Sequence, residues 1–262
     1  MLTYIFAALS AVGSILLAFG TQIHWLWIFP IFVGVFAGLN VSFFLALWFS
    51  TIFLPKEDPI DKPRNFYGII CFVCDWITTL LRVKIDFRGM EKFPDEPFVL
   101  VSNHISNFDP IVVLAKVKGR KIAFVSKPSN FKIPVAGPYT HNAGFLAIDR
   151  QNAMKAMRTI KRAAEFVVSE QMIMGIYPEG TRSKSGELLE FKEGAFLLAK
   201  RAQAPVVVVT TKGTNKIAKN KVLKATKVEL DVIEIIDKET VQNLKLSELS
   251  AHVRESIAHA LQ

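Results

Sequence analysis

The first charged residue of this chain is Lys56: residues 1–55 contain no Asp, Glu, Lys or Arg. A stretch of that length without a charge cannot form an ordinary wetted surface, so its side chains need protein or lipid around them. Two apolar segments, 3–20 and 25–54, are joined by Thr21, Gln22, Ile23 and His24. Each approaches or exceeds the ~20 helical residues that cross a hydrocarbon core. The pattern predicts a hydrophobic helical hairpin that anchors the chain to a membrane. A start without Lys or Arg, followed by a second apolar run, argues against a cleaved signal peptide. Trp25, Trp27 and Trp48 suit a membrane interface, Gly34 and Gly38 form a GxxxG able to seat one helix on the other, and Pro30 starts or kinks the second helix. A spanning hairpin and one re-entering a single leaflet fit the connecting loop equally well.

The formal net charge of +9 is therefore carried wholly by residues 56–262. Such segregation predicts a basic soluble domain tied to a membrane, with anionic lipid or an anionic substrate as its partner. Nucleic acid is not expected, because the charge is spread and neither an aromatic RNP-like motif nor zinc-finger spacing occurs. Lys56, Lys62 and Arg64 place the domain on the cytosolic side by the positive-inside rule, although Glu57, Asp58 and Asp61 dilute the cluster. Residues 66–81 read as an amphipathic or membrane-lying helix in which Cys71 and Cys74 pack rather than form a redox pair. The division is an anchor at 1–55, a connector at 56–82 and a globular domain at 83–262.

From residue 83 onward, strand-like and helix-like runs alternate, as in an α/β domain with a mixed central sheet flanked by helices. Strands are expected at 83–88, 97–101, 121–126, 143–148, 171–177, 205–211 and 227–236, the last as an edge or antiparallel strand. Helices are expected at 111–117, 151–170, 195–202 and from 247 onward. The prolines of 127–138 argue against a regular element there, and 213–225 reads as a basic loop. In the 151–170 helix, Met154 and Met157 fall on the apolar side, opposite a basic face of Lys155, Arg158, Lys161 and Arg162 that is either solvated or set against lipid headgroups.

Chemistry is concentrated in two loops at strand ends. In Ser102-Asn103-His104-Ile105-Ser106-Asn107-Phe108-Asp109-Pro110, an Asp109 carboxylate bonded to the His104 ring would make the histidine a general base. The same spacing also fits an N-capping Asp109, with Pro110 in the first turn, beside an incidental histidine. In Pro178-Glu179-Gly180-Thr181-Arg182-Ser183, the glycine admits close approach to the backbone and Arg182 offers a planar fork for a phosphate. Glu179 there is placed to orient a basic group or a polar headgroup. Alone, this second loop reads equally as a surface turn.

These loops together resemble the glycerolipid acyltransferase superfamily, specifically the bacterial-type (PlsC-like) 1-acyl-sn-glycerol-3-phosphate acyltransferases. Asn103-His104, four residues and Asp109 match its first motif. Gly144-Phe145-Leu146-Ala147-Ile148-Asp149-Arg150 matches the second, and Tyr177 to Ser183 the third, with tyrosine for the usual phenylalanine. Ala204-Pro205-Val206-Val207 matches the fourth. The resemblance covers residues 83–215 and keeps the family's motif order.

The resemblance implies transfer of a fatty acyl group from acyl-CoA or acyl carrier protein to the sn-2 hydroxyl of lysophosphatidate, giving phosphatidate. It implies His104 and Asp109 as the catalytic pair, and Arg150, Glu179, Gly180, Thr181 and Arg182 as substrate-binding residues. Lys127, which opens the loop after the 121–126 strand, is added to these as a phosphate contact on its charge and not on the resemblance. No resident cofactor or metal is implied, since the thioester is a co-substrate. Another lysophospholipid acceptor preserves the same chemistry. A hydrolase would ordinarily need a GxSxG elbow, which the chain lacks; an inert lipid binder would not need His104, Asp109, Glu179 and Arg182 together.

Overall fold

The computed structural model describes residues 2–55 and 63–262. They fall into two compact units, Met1–Pro55 and Lys56–Gln262.

The first unit is a pair of helices, α1 (Leu2–Thr21) and α2 (Ile28–Ser50). α2 is preceded by a single 3₁₀ turn at Trp25–Trp27, and Pro30 lies in its first turn, where the missing N–H leaves no bond unmade. Leu2–Thr21 and Trp25–Phe53 are each long and apolar enough to cross a membrane. α1 packs on α2, with the Phe6 and Phe43 rings edge to face at 6.2 Å. The GxxxG expectation fails: Gly34 and Gly38 are exposed, and a methyl group on either would meet nothing within 4 Å. The small buried positions lie on α1 instead, at Ser10, Ser14 and Ala18, one helical turn apart. Ser10 and Ser14 return their hydroxyls to the carbonyls of Phe6 and Ala11, so neither of these two hydroxyls is stranded.

The second unit begins with α3 (Tyr67–Leu80), whose Tyr67, Ile70, Cys71, Cys74 and Trp76 are buried. This face packs on the helix Asp109–Lys116 of the same unit, so α3 is amphipathic, as expected, and its buried side belongs to the domain. Burial raises the pKa of both cysteine thiols and so disfavours the thiolate that nucleophilic or redox chemistry needs. Lys56 and Lys62, which carry the expectation of a cytosolic face, lie outside the described residues with Glu57, Asp58 and Asp61; Arg64 is described, and its guanidinium donates to Asn142 Oδ1 at 2.9 Å.

Then come β1 (Val83–Arg88), β2 (Val99–Ser102), α4 (Asp109–Lys116), β3 (Ile122–Ser126), α5 (Ala136–Asn142), β4 (Leu146–Ala147) and α6 (Ala153–Ser169). The chain continues through β5 (Ile173–Ile176), α7 (Leu197–Ala202), β6 (Val206–Lys212), α8 (Ile217–Asn220), β7 (Thr226–Ile236), α9 (Lys238–Asn243) and α10 (Leu246–Leu261). The seven strands lie in the order β1-β7-β6-β2-β5-β3-β4. All pairs are parallel except β6–β7, so the sheet is mixed, as the alternation implied. β2 and β6 are buried on both faces, which is why they read as unbroken valine-rich runs.

Two crossovers run in opposite directions along the sheet, β2 to β3 one way and β4 to β5 the other, and β5 to β6 follows the second direction. Right-handed connections then put α4 and α6 on opposite faces. The packing agrees: α3 lies with α4 and α5, whereas α6 lies with α7, and α7 with α9.

Four local expectations are corrected. The proline-rich stretch holds a 3₁₀ turn at Pro128–Lys132 and then α5, in which Pro138 occupies the first turn and sacrifices no helical bond. The strand expected at 143–148 shrinks to β4. β7 is antiparallel to β6, one of the two expected alternatives, but it is an interior strand and not an edge, because β1 pairs with its far side through Val83↔Thr226 to Arg88↔Asp231. Met154 and Met157 are exposed, not core.

Candidate active site

β6, β2 and β5 are neighbouring parallel strands, and the loops leaving their C-terminal ends meet, the usual place for a ligand in an open α/β sheet. At the end of β2 the buried Asn103 side chain does the work of a strand backbone. Its Nδ2 donates to the Thr211 carbonyl at 3.0 Å and its Oδ1 accepts from the Thr211 N–H at 2.8 Å. Ser102 Oγ lies 3.0 Å from Thr211 Oγ1. The ladder is thereby prolonged one residue past the last strand pairing, and His104 leaves the sheet from a fixed point.

Both main-chain groups of His104 are then taken by the loop after β5. Its N–H donates to Glu179 Oε1 at 2.6 Å, and its carbonyl accepts the Ser183 N–H at 2.8 Å. The ring stacks on Tyr177, centroids 4.3 Å apart and planes at 17°, and Tyr177 stacks in turn with Phe124 of β3. His104 Nδ1 lies 2.7 Å from Asp109 Oδ2, while Nε2 has no hydrogen-bond partner among the described residues.

Asp109 is fully buried, yet it does not cap the helix it begins. Its Oδ2 turns back to accept the N–H groups of Ile105 and Ser106, both at 2.8 Å, and its Oδ1 takes the Thr214 hydroxyl. With the ring nitrogen, that makes four donors on one carboxylate, enough to let it carry its charge away from water. The arrangement places a proton on Nδ1 and a free lone pair on Nε2. Thr214 escaped the sequence analysis because its only local signal is a threonine after a strand-ending glycine.

Glu179 is buried as well, and its carboxylate faces backbone instead of a headgroup. Oε1 holds the His104 N–H and Oε2 the Leu189 N–H, at 3.2 Å, so the residue ties the two loops together. Burial pushes its pKa above the usual carboxylate range, an effect the two amides partly offset. Gly180 next to it takes a φ of +69°, and the methylenes of Lys192 lie 3.1 Å from where its Cβ would be. A side chain at 180 would thus be strained and would displace Lys192.

Thr181 and Arg182 are exposed beyond this turn; Lys127 follows β3, and Arg150 lies just past β4. Neither Lys127, Arg150, Arg182 nor Lys192 has an ion pair among the described residues. Desolvation lowers the pKa of Arg150 from the ordinary arginine value. The structure therefore locks together His104, Asp109, Glu179 and the Gly180–Ser183 backbone, and it leaves four cations unpaired on the same end of the sheet. Lys192 is the one that sequence analysis passed over.

The acyltransferase family model matches residues 84–212. A chloroplastic 1-acyl-sn-glycerol-3-phosphate acyltransferase, LPAT1 of Arabidopsis thaliana, is 34% identical over 190 residues, which cover 71% of this chain and 52% of that protein. Human 1-acyl-sn-glycerol-3-phosphate acyltransferase alpha is 33% identical over 134 residues, 51% of this chain and 47% of that protein. The chain thus spans about half the length of these curated relatives. The crystal structure of the 1-acyl-sn-glycerophosphate acyltransferase PlsC from Thermotoga maritima shares the fold, with a TM-score of 0.62 at 24% identity over 85% of this chain and 87% of that one.

Proposed function

The chain belongs to the acyltransferase family through residues 84–212, and from that premise we propose that it moves a fatty acyl group from a thioester to the sn-2 hydroxyl of 1-acyl-sn-glycerol-3-phosphate. The observation that carries the mechanism is the His104–Asp109 bond, which fixes Nδ1 as the protonated nitrogen and aims an unencumbered Nε2 outward. Nε2 takes the proton of the acceptor hydroxyl as its oxygen attacks the thioester carbonyl carbon. Asp109 stabilises the imidazolium that results. When the tetrahedral intermediate collapses, the C–S bond breaks and Nε2–H returns the proton to the departing thiolate. The products are phosphatidate and a free thiol, and no acyl-enzyme forms.

Unpaired cations at Lys127, Arg150, Arg182 and Lys192 favour a phosphomonoester acceptor, Arg182 as a bidentate fork and the lysines as point charges. Glu179 acts at one remove, as a positioning residue that sets the His104 backbone. The thioester, of CoA or of acyl carrier protein, is a co-substrate, and this chemistry calls for no resident cofactor or metal. The charge-free helices hold the domain at a bilayer containing the lipid acceptor, and the domain faces the cytosol, where both thioesters are available.

The test is acyl transfer by the purified full chain in lipid, with labelled acyl-CoA and acyl carrier protein offered to a panel of lysophospholipids and a no-acceptor control. Selective formation of phosphatidate is expected. Acylation of a different headgroup moves the substrate but keeps His104, whereas release of free fatty acid alone overturns the transferase reading in favour of hydrolysis.

A further inference from the structure

Leu223 is the most exposed large apolar side chain that the structure describes, at 84%, ahead of any on the two charge-free helices. A lone surface leucine needs no explanation. This one has company: Val222 beside it is exposed, and so are Ile133, Met154 and Met157. All five lie beyond the C-terminal ends of β3, β4 or β6, the end of the sheet that carries His104.

The loop around Leu223 is strongly basic. No Asp or Glu occurs between Lys212 and Lys227, and Lys216, Lys219, Lys221 and Lys224 are all exposed, without an ion pair among the described residues. It is also built rather than slack. Ile217 is fully buried at its base, the Lys221 N–H bonds to the Ile217 carbonyl at 2.9 Å, and Asn220 Nδ2 bonds to Thr226 Oγ1 at 2.9 Å. Arg82 Nη1 lies 3.4 Å from both the Val222 and Leu223 carbonyls, so the backbone of the tip is held while its side chains point away. Lys221 adopts a φ of +50°, a conformation that a residue with a side chain accepts only when its surroundings impose it. Backbone strain and ordered carbonyls thus serve to hold two apolar side chains in the open, inside a ring of lysines.

We propose that Val222 and Leu223 form a wedge that enters the headgroup–acyl boundary of an anionic bilayer, with Lys216, Lys219, Lys221 and Lys224 on the lipid phosphates. Apolar tips flanked by lysine are matched to that interface: the alkyl stems follow the tip down and the ammonium groups stay at the phosphate level. The contact is additional to the charge-free helices. Because Thr214, on the same β6–β7 connection, holds Asp109, it also places the catalytic loops close to the lipid surface.

Nitroxide accessibility on the full chain tests this without any need for turnover. Leu223→Cys is spin-labelled, the buried Cys71 and Cys74 being shielded, and the chain is reconstituted in phosphatidylcholine bilayers with and without phosphatidylglycerol. Glu96→Cys, ahead of β2 at the opposite end of the sheet, is the reference. In the anionic bilayer, oxygen should collide with the label at 223 more often than a water-soluble nickel chelate does, and the order should reverse at 96. Adding Lys219→Gln and Lys224→Gln should shift 223 back toward water, since each lysine near an anionic surface is worth roughly a fivefold change in partition. Nickel access at 223 equal to that at 96 in both bilayers overturns the proposal. So does protection from nickel without a gain in oxygen, which would mean that protein, for instance a second copy, covers the tip.

Discussion

The locked loops and the cation rim, side by side at one end of the sheet, are built on opposite rules. In the first, polar atoms are spoken for: Asp109 has four donors, Glu179 two, and both backbone groups of His104 are bonded. In the second, Lys127, Arg150, Arg182 and Lys192 have no counter-ion among the described residues. On the proposed function, the difference separates two tasks. A proton acceptor works only when its tautomer and aim are set before substrate arrives, so its bonds are internal. A phosphate site that already held a carboxylate would have to break that pair to bind, so its charges are left to the solvent. The contrast predicts that damage to the loops lowers kcat and damage to the rim raises KM.

His104→Ala should have the largest effect, a loss of about 10³-fold or more in kcat, the upper range for a general base. The acceptor KM should stay within a few-fold, and steady-state rates on the full chain in lipid read both. Survival of kcat would remove His104 from the chemistry. Asp109→Asn comes next, at about 10³-fold in kcat, because a neutral amide no longer stabilises the imidazolium, and its NH2 group replaces the oxygen that accepts the Thr214 hydroxyl or, if flipped, faces the Ile105 and Ser106 N–H groups and the Nδ1 proton. A pure KM effect in this variant would dissolve the distinction between loops and rim.

The locked loops were legible in the sequence and the rim only in part, for a physical reason. His104, Asp109 and the turn at 178–183 are local strings whose residue types and spacing allow a histidine–carboxylate bond and a tight turn, and the structure has both. What Glu179 does was not legible, since its partners, the amides of His104 and Leu189, depend on β2 and β5 being neighbours, which strand periodicity does not encode. Thr214 and Lys192 were missed likewise, each being brought in across the sheet or over a glycine. Among the elements, the buried valine-rich strands read cleanly, while α5 hid behind prolines that a first helical turn tolerates. α9, at six residues, was too short for helical periodicity to register.

Arg182→Ala sharpens the comparison from the other side. Loss of a charge-assisted phosphate contact is worth about 1.5–3 kcal/mol, or roughly 10- to 100-fold in acceptor KM, with kcat nearly unchanged. Equal falls in kcat and kcat/KM would mean that the guanidinium acts only in the transition state, and Arg182 would then belong with the locked loops.

Tyr177 is where the comparison can be broken within a single residue. Its ring belongs to the locked part, stacked on both His104 and Phe124. Its hydroxyl does not: the oxygen is buried and has no hydrogen-bond partner among the described residues, and burial together with the nearby Asp109 charge raises its pKa well above the ordinary phenol value. If the stack alone is the ring's task, phenylalanine performs it equally well, and removing a desolvated hydroxyl should stabilise the fold by about 1 kcal/mol. For a unit of this size that amounts to a Tm about 2–4 °C higher, measured by thermal melting of the full chain. Tyr177→Phe should accordingly melt later and turn over at the unaltered rate. A lower kcat with the higher Tm would instead show that the hydroxyl finds its missing partner in the bound substrate, and that one atom of the locked loops obeys the rule of the rim.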